Sequence, residues 1–250
     1  MNLDVAKDYK IASEFKDLLK EHKPQGLEHI LVNILSKVKK NAWIFGAGPS
    51  LENDYEIFAK YYSKTSDLII GVDGATLFLK EQGLTPDIIF SDLDGSIEAI
   101  LDCLHKGSIL ILHAHGDNYS LVKKFFPAIK SYNFLATVQT RPEEPFLFNF
   151  GGFTDGDRAI SSVLSWFNSV NVLLIGFTFG SIQGRYSKPI TLINHTKASP
   201  FKLQKLTFAK KFIKILAETY VNQIYNLSRP TESIMGVNEN FESILFTKEQ

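Results

Sequence analysis

Apolar residues recur every three or four positions through the first part of the chain. The spacing holds over residues 5–19 and again over residues 27–38, where Ile30, Leu31 and Ile34 repeat at helical intervals. Such a pattern is typical of helices that bury one face. We therefore predict a helical N-terminal segment over residues 1–40.

Beyond residue 40 the apolar residues form short runs that end in Gly or Asp, and each run is followed by a polar turn and a helix-like stretch. The runs occupy residues 43–45, 68–72, 88–90, 109–112 and 172–175, with a weaker candidate within 131–138. This repetition of strand and helix predicts an α/β fold. Because the runs are apolar almost throughout, we expect a mostly parallel sheet covered by helices on both faces.

After the last run the pattern predicts two further elements. Residues 177–196 combine glycines with β-prone stretches, which indicates a hairpin or another excursion from the sheet. Residues 202–225 predict a long closing helix, and the rest of the chain reads as a weakly ordered tail. The predicted organisation is a helical segment (1–40), an α/β domain (41–226) and a C-terminal tail (227–250).

Charge and cysteine content narrow the classes of partner and compartment. Lys and Arg number 27 against 27 Asp and Glu, so the chain has no general attraction to polyanions and we expect no nucleic-acid partner. The single cysteine, Cys103, cannot form an intrachain disulfide, which favours a reducing compartment. Charged residues interrupt any apolar signal core, and no run approaches the roughly 20 residues of a membrane span. We predict a cytoplasmic protein without a membrane partner; a homo-oligomer stays compatible with the sequence.

A glycine-rich motif follows the first predicted strand, at residues 46–51 (Gly-Ala-Gly-Pro-Ser-Leu). In parallel sheets ligands bind beyond the carboxyl ends of the strands, and glycines there let backbone amides approach a phosphate. Leu51 stands where a dinucleotide fingerprint would need a small residue, and a Walker loop is absent from the sequence. An ordinary tight turn is the alternative interpretation.

Carboxylates follow the next two predicted strands. Asp73 comes after the second strand, and Asp92 and Asp94 come after the third. Aspartates at this spacing could share Mg²⁺, which takes oxygen ligands and enters with substrate phosphates. Either of the last two could instead cap the following helix. Their combination with Asp73 favours the metal interpretation.

A polar cluster ends the fourth predicted strand and contains His113, His115, Asp117 and Asn118. Two histidines at this spacing could ligate a transition metal, but nearby carboxylates and the lack of further Cys or His ligands favour hydrogen bonds to a phosphate or an acceptor. A structural role for each histidine is the alternative.

The densest motif occupies residues 151–158 (Gly-Gly-Phe-Thr-Asp-Gly-Asp-Arg). Its paired glycines allow close backbone approach, and Thr154 or Asp155 can cap a helix that begins near Gly156. Arg158 could then reach a phosphate with its planar fork, and it has few competitors because the chain contains only four arginines. A surface ion pair of Arg158 is the alternative.

Taken in order, these motifs resemble the archaeal 6-hydroxymethyl-7,8-dihydropterin diphosphokinases over roughly residues 41–215. The aspartate motifs are also similar to those of thiamin diphosphokinases, which implies a catalytic core of that kind. The resemblance implies Mg²⁺-dependent transfer of the terminal diphosphate of ATP to the hydroxymethyl oxygen of a reduced pterin, with release of AMP. It places the reaction in the synthesis of a folate-like or methanopterin-like cofactor.

The resemblance and the residue chemistry together assign roles. Asp73, Asp92 and Asp94 hold Mg²⁺, Arg158 binds phosphate, and Asp117 is a further ligand or the base near the acceptor hydroxyl. The other motif residues are expected to contact the substrates; these are Gly46, Gly48, Ser50, His113, His115, Asn118, Gly151, Gly152, Thr154, Asp155 and Asp157.

Three other functions compete with this interpretation. Residues 92–94 have the acidic-any-acidic form by which many glycosyltransferases hold a metal and a nucleotide sugar. A thiamin-type diphosphokinase would share the reaction type. A non-catalytic nucleotide-binding module is disfavoured, because a site that only binds seldom needs so many carboxylates.

Overall fold

The computed structural model describes residues 5–22, 27–37, 40–64, 67–142, 144–167, 169–188, 190, 193–228 and 233–245. The strands within these ranges are β1 (Asn41–Phe45), β2 (Asp67–Val72), β3 (Ile88–Ser91), β4 (Ile109–Ala114), β5 (Phe134–Val138), β6 (Leu147–Phe148), β7 (Asn171–Ile175), β8 (Ile182–Gln183), β9 (Thr196–Lys197) and β10 (Ile224–Asn226). The helices are α1 (Val5–His22), α2 (Leu27–Ser36), α3 (Leu51–Tyr61), α4 (Ala75–Glu81), α5 (Ile97–His105), α6 (Tyr119–Ile129), α7 (Asp155–Trp166), α8 (Pro200–Thr219) and α9 (Glu242–Leu245).

Eight strands form one sheet in the order β10-β7-β1-β2-β3-β4-β5-β6, and every neighbouring pair is parallel. The predicted α/β class is confirmed, and each of the six predicted strands is present. In the sheet, β1 lies between β2, the next strand along the chain, and β7, to which the chain returns later. This reversal makes the carboxyl end of β1 a topological switch point, where open α/β sheets bind ligands.

Helices cover both faces of the sheet because alternate residues of each strand point to opposite sides. Ala42 and Ile44 of β1 belong to the core layer that contains α2, α7 and α8. Trp43 and Phe45 of the same strand face the other side, where α3 and α4 pack. Farther along that side, α1, α5 and α6 cover β3, β4 and β5. Burial on both faces explains why the strands are apolar almost throughout.

The two N-terminal helices pack on opposite faces of the sheet. Phe15 and Leu19 of α1 are buried in the layer that contains α5 and α6, whereas Ile30 and Ile34 of α2 are buried on the other face, where α2 contacts β5. The helical segment predicted from periodicity is therefore confirmed in the described residues. The proposed domain limits at residues 40 and 226 stay a prediction.

The excursion predicted after the last core strand is also confirmed. β8 and β9 pair antiparallel beside the carboxyl edge of the main sheet, and the described residues within 182–197 are called the hairpin below. Among the described residues, no helix is both long enough and apolar enough to span a membrane.

The predicted closing helix is wrong at its C-terminal end. α8 stops at Thr219, and Ile224–Asn226 form β10 beside β7. Asn222 adopts a positive φ of 60°, which Asn tolerates, and the chain turns there to enter the sheet. The amide of Asn226 then donates to the carbonyl of Asn238, so this part of the predicted weakly ordered tail is packed against the sheet edge.

Candidate active site

A cavity of about 650 Å³ opens at the carboxyl edge of the sheet, within the size range of small-molecule sites. The loops after β1 to β5 and β7, the first turns of α1, α7 and α8, and the hairpin surround it. The predicted site residues that line it are Gly46, Gly48, Asp73, Asp92, Asp94, His113, His115, Asp117, Thr154, Asp155 and Arg158. The fold thus brings these predicted residues together from five separate segments of the chain.

Three aspartates form the acidic centre of the cavity. Asp73 leaves β2, Asp92 leaves β3, and Asp155 begins α7, and one carboxylate oxygen of each lies within 4.8 Å of the other two. Asp73 adopts a φ of +45°, and its Oδ1 accepts a 2.7 Å hydrogen bond from the Ser91 hydroxyl. An all-carboxylate group of this size offers the oxygen donors that Mg²⁺ prefers.

Burial and mutual repulsion raise the pKa values of two of these carboxyls. Burial, followed by the charges of Asp155 and Asp92, raises the pKa of Asp73 well above its ordinary value. Burial and the charge of Asp92 also raise the pKa of Asp155, against the opposing effect of Arg158. The site therefore favours a bound proton or a bound cation over three bare charges.

The third carboxyl, Asp92, remains ionised. Burial opposes its charge, but a 3.2 Å contact with His115 Nε2 and the nearby ammonium of Lys188 hold the pKa of Asp92 below its ordinary value. The amide of Asp117 donates to His115 Nδ1, which leaves Nε2 as the donor toward Asp92 in neutral histidine.

The raised pKa of Asp73 predicts pH-dependent stability in metal-free protein. Because the folded state binds its proton more tightly than the unfolded chain does, stability falls as pH rises from about 4 through the folded-state pKa. Asp73→Asn cannot ionise, so we expect it to melt at a higher temperature than the parent at neutral pH. Melting in a chelator between about pH 5 and about pH 8 measures the difference. If the melting temperature of the parent and of Asp73→Asn changed with pH in the same way, the expectation would be contradicted. Asp102→Asn, on the surface of α5, is the control.

Asp94 stands apart from the acidic centre. Its carboxylate forms an ion pair with Lys188 of the hairpin, so the structure groups Asp73 and Asp92 with Asp155 rather than with Asp94. The capping alternative for Asp92 and Asp94 is wrong. Ser96 is the N-cap of α5, and its hydroxyl accepts from the amide of Ala99.

A polar network joins the ends of β4 and β5 to α7. His113, only 3% exposed, contacts the Thr137 hydroxyl at 3.0 Å and the Gln139 side-chain oxygen at 3.3 Å. Burial, with the charge of Arg158, lowers the pKa of His113 well below its ordinary value, so this histidine is neutral. Arg158 Nη2 donates to the same Gln139 oxygen at 2.6 Å.

Arg158 is a buried cavity residue and not a surface ion-pair partner. It is 8% exposed, and Nη1 lies 3.5 Å from the carbonyl oxygen of Gly151. Burial lowers its pKa, while Asp155 and Asp157 favour its charge. A guanidinium held this way is oriented before any ligand arrives, which suits forked recognition of an anion.

Two aspartates in the first turn of α7, Asp155 and Asp157, have different roles. Thr154 is the N-cap, and Asp157 accepts hydrogen bonds from the amides of Phe153 and Thr154 and from the Thr154 hydroxyl. Asp157 is therefore engaged in capping and lies outside the cavity lining. Asp155, at the first helical position, faces the acidic centre.

Glycines in the loop after β1 serve close packing between two strand ends. The amides of Gly46 and Gly48 donate to the carbonyls of Ile175, the last residue of β7, and Gly176, which follows it. A Cβ on Gly48 would lie 2.2 Å from the Gly176 oxygen, which no side chain permits. Ser50 points elsewhere and donates to Asp54, a buried residue that also accepts from the Gly176 amide.

Gly151 and Gly152 adopt φ values of +79° and +99°, which glycine alone adopts readily. A Cβ on Gly152 would lie 2.7 Å from the Arg158 side chain. The two glycines line no part of the cavity, but they form the turn that packs against Arg158.

The turn after β4 is tied to the first turns of α1. Lys7 donates to Asp117 at 2.7 Å, and Asp8 accepts from the amide of Gly116 at 2.8 Å. Asn118 is buried beneath the turn, where its side chain donates to the carbonyls of Asp92 and His113. Asn118 thus supports the site from outside the cavity lining.

The cavity lining also includes charged residues outside the predicted set, five of them lysines, and the glutamine that contacts His113 and Arg158. They are Lys7, Asp8, Gln139, Lys188, Lys197, Lys202 and Lys205. Lys7 and Asp8 carry no sequence signal, because only packing of α1 brings them to the cavity. Lys188 could have been predicted from the sequence, because it is a lysine in the excursion that follows a strand of the parallel sheet, and ligands bind at that edge of the sheet.

The fold of the chain is similar to that of a solved MAf glycosyltransferase from Magnetospirillum magneticum. The TM-score is 0.52 at 14% sequence identity, and the match covers 81% of this chain and 33% of that one. The chain thus spans a third of the length of that structure. At this identity the likeness concerns the fold alone.

Sequence relatives are considerably closer. A protein of Pyrococcus furiosus is 36% identical over 218 residues, covering 86% of this chain and 87% of the relative. A protein of Methanothermobacter thermautotrophicus is 37% identical over 170 residues, covering 68% and 71%. Each is named 6-hydroxymethyl-7,8-dihydropterin pyrophosphokinase.

A family model described as "6-hydroxymethylpterin diphosphokinase MptE-like" matches residues 11–184, from the middle of α1 to the hairpin. The matched region includes all eleven predicted site residues that line the cavity. Together with the long alignments to archaeal relatives, this match shows that the chain belongs to the MptE-like 6-hydroxymethylpterin diphosphokinase family.

Proposed function

We propose that this protein transfers a diphosphate group from ATP to 6-hydroxymethyl-7,8-dihydropterin and uses Mg²⁺ as cofactor. The observation that carries the proposal is the meeting of Asp73, Asp92 and Asp155 with Arg158 in one cavity. Bare carboxylates would repel a triphosphate, whereas carboxylates that hold a divalent cation beside a buried guanidinium attract one. The names of the archaeal relatives suggest the acceptor.

Asp73, Asp92 and Asp155 would hold the metal. They fit a hard divalent cation because all three donors are carboxylate oxygens, and because burial and repulsion raise the pKa values of Asp73 and Asp155. Asp155 thus takes the place that the sequence prediction gave to Asp94. When bound, Mg²⁺ supplies charge neutralisation that lets a nucleophile approach phosphorus.

The chain's own groups bind and orient the phosphates. Arg158 is fixed by Gln139 and by the Gly151 carbonyl, so its fork presents donors without further ordering. Lys202 and Lys205, in the first turns of α8, add positive charge to the cavity wall. Because Arg158 is buried, its interaction with a phosphate would be stronger than that of a guanidinium in open water.

The proposed transfer forms one bond and breaks one. The hydroxymethyl oxygen of the pterin bonds to the β-phosphorus of ATP, and the bond from that phosphorus to the oxygen bridging to the α-phosphate breaks. That oxygen leaves with the electron pair as part of AMP, and the hydroxyl proton passes to a base. In-line attack places the acceptor hydroxyl opposite the leaving oxygen, so both substrates must be bound in one cavity, which fits a cavity shared by several strand ends.

Asp117 is poorly suited to be that base. Its carboxylate is 78% exposed, and the hydrogen bond from Lys7 lowers its pKa. A carboxylate with a lowered pKa accepts a proton less readily. We therefore assign Asp117 to holding the 115–118 turn against α1.

Product analysis tests the proposed function. Incubation with Mg²⁺, ATP and the reduced hydroxymethylpterin is expected to give AMP and the pterin diphosphate in equal amounts, with no product when the acceptor is omitted. Thiamin and sugar acceptors in parallel separate the related functions. ADP as the main nucleotide product, or AMP formation with thiamin alone, would contradict the proposal.

A nucleotide-sugar transferase is the second candidate, favoured by the acidic-any-acidic form of residues 92–94. Asp94 forms an ion pair with Lys188, which weakens the case for a two-aspartate metal motif. This candidate would be supported if the protein transferred or hydrolysed a nucleotide sugar and left ATP unreacted.

The biological setting stays a prediction from the sequence. This applies to the folate-like or methanopterin-like pathway, the cytoplasmic location, the absence of a nucleic-acid or membrane partner, and a homo-oligomeric state.

A further inference from the structure

The hairpin is seated firmly over the candidate active site. A Cβ on Gly74, directly after Asp73, would lie 1.8 Å from the carbonyl oxygen of Tyr186, so the two backbones touch. A Cβ on Gly184 would lie 2.4 Å from the carbonyl oxygen of Ala47 and 2.6 Å from that of Gly48. The ring of Tyr186 packs on Phe78 and its hydroxyl donates to Glu81 at 2.5 Å. These contacts fix the segment from which Lys188 projects.

Lys188 brings its ammonium group to the edge of the acidic centre. Nζ forms an ion pair with Asp94 and lies 3.8 Å from Oδ1 of Asp92. Arg158 and Lys188 approach the acidic centre from different elements: Arg158 projects from α7, whereas Lys188 projects from the hairpin. Lys188 belongs to none of the motifs that predicted the site.

Asp94 is better placed to hold Lys188 than to hold a metal. It is not one of the three carboxylates whose oxygens converge within 4.8 Å. Its Oδ1 is buried and has no hydrogen-bond partner among the described residues, so the ion pair is its principal interaction there.

A cation bound at Asp92 would repel an ammonium group 3.8 Å from that carboxylate, while the phosphates that accompany the cation would attract it. Lys188 can respond without losing Asp94, since an ammonium has three donors. On the function proposed above, we propose that Lys188 binds a phosphate oxygen of the nucleotide and that Asp94 is a positioning residue that aims Lys188, not a metal ligand.

A double-mutant cycle separates this arrangement from metal binding by Asp94. The variants are Lys188→Met, Asp94→Asn and the double variant, with Lys188→Arg as the conservative change. Lys214→Met, which removes a surface lysine paired with Glu218 on α8, is the control. For each variant we would measure three quantities. These are the affinity for Mg²⁺-ATP by calorimetry, the KM and kcat for ATP, and the melting temperature with and without Mg²⁺ alone.

We expect Lys188→Met to weaken ATP binding by about 10- to 100-fold, the usual effect of losing a charge-assisted hydrogen bond. Asp94→Asn should weaken it less, and the double variant should be no worse than Lys188→Met. Lys188→Arg should retain most affinity. The melting shift caused by Mg²⁺ alone should persist in all four variants, because Asp73, Asp92 and Asp155 remain.

Wild-type ATP affinity in Lys188→Met would overturn the proposal for Lys188. Loss of the Mg²⁺ melting shift in Asp94→Asn, or additive losses in the double variant, would overturn the positioning role of Asp94. If the parent binds ATP but forms no AMP with the pterin, the proposed function fails while the calorimetric cycle still decides on Lys188. If the parent binds no ATP, both fail.

Discussion

Asp92→Asn is expected to slow AMP formation by about 100- to 1000-fold, or roughly 3 to 4 kcal/mol of transition-state stabilisation. Asp92 is the carboxyl of the acidic centre whose pKa is held low, so it offers a full negative charge to the cation at neutral pH. Asparagine preserves the shape but removes that charge. The rate at several Mg²⁺ concentrations, with melting curves for each protein, measures the effect.

The fold should survive this change, because the contact with His115 can persist through the asparagine amide and the neighbouring strand is unaltered. Asp102→Asn, an exposed carboxylate paired with Lys80, is the matched control and should leave the Mg²⁺ dependence as in the parent. A normal rate and normal Mg²⁺ requirement in Asp92→Asn would remove this residue from the site. A similar loss in Asp155→Asn is expected if the three carboxylates act together.

Arg158→Lys should lower kcat/KM for ATP by about 10- to 100-fold although the formal charge is retained. The guanidinium of Arg158 is held on one side by Gln139 and by the Gly151 carbonyl, which leaves its other donors for a phosphate. A lysine has a single nitrogen and cannot keep both sets of contacts. Steady-state kinetics with varied ATP and fixed pterin measures the loss.

The lysine variant is more informative than Arg158→Ala, since alanine would leave buried Asp155 and Asp157 without their compensating charge and lower stability as well. Arg141→Lys, at an exposed position outside the cavity lining, is the matched control. Equal kinetics for Arg158→Lys and the parent would exclude forked phosphate recognition by this residue.

Much of the fold follows from local pattern alone. The two N-terminal helices, the core strands and the hairpin could be predicted because each repeats a periodicity that depends on its own residues. The β10 strand could not be, because three residues such as Ile224–Asn226 are too few to separate a strand from the end of a helix. Pairing with β7, a long-range contact, decides their conformation.

The candidate site divides in the same way. By itself the sequence determined which strand ends carry the chemistry, because glycines, aspartates, histidines and Arg158 interrupt apolar runs where ligands bind in parallel sheets. Only the tertiary structure decided which of these groups meet. Asp155, more than sixty residues from Asp92, completes the acidic centre, whereas Asp94, two residues away, turns to Lys188. Spacing along a chain fixes direction only within one element, and the distance between groups on different elements is set by how the sheet and helices pack.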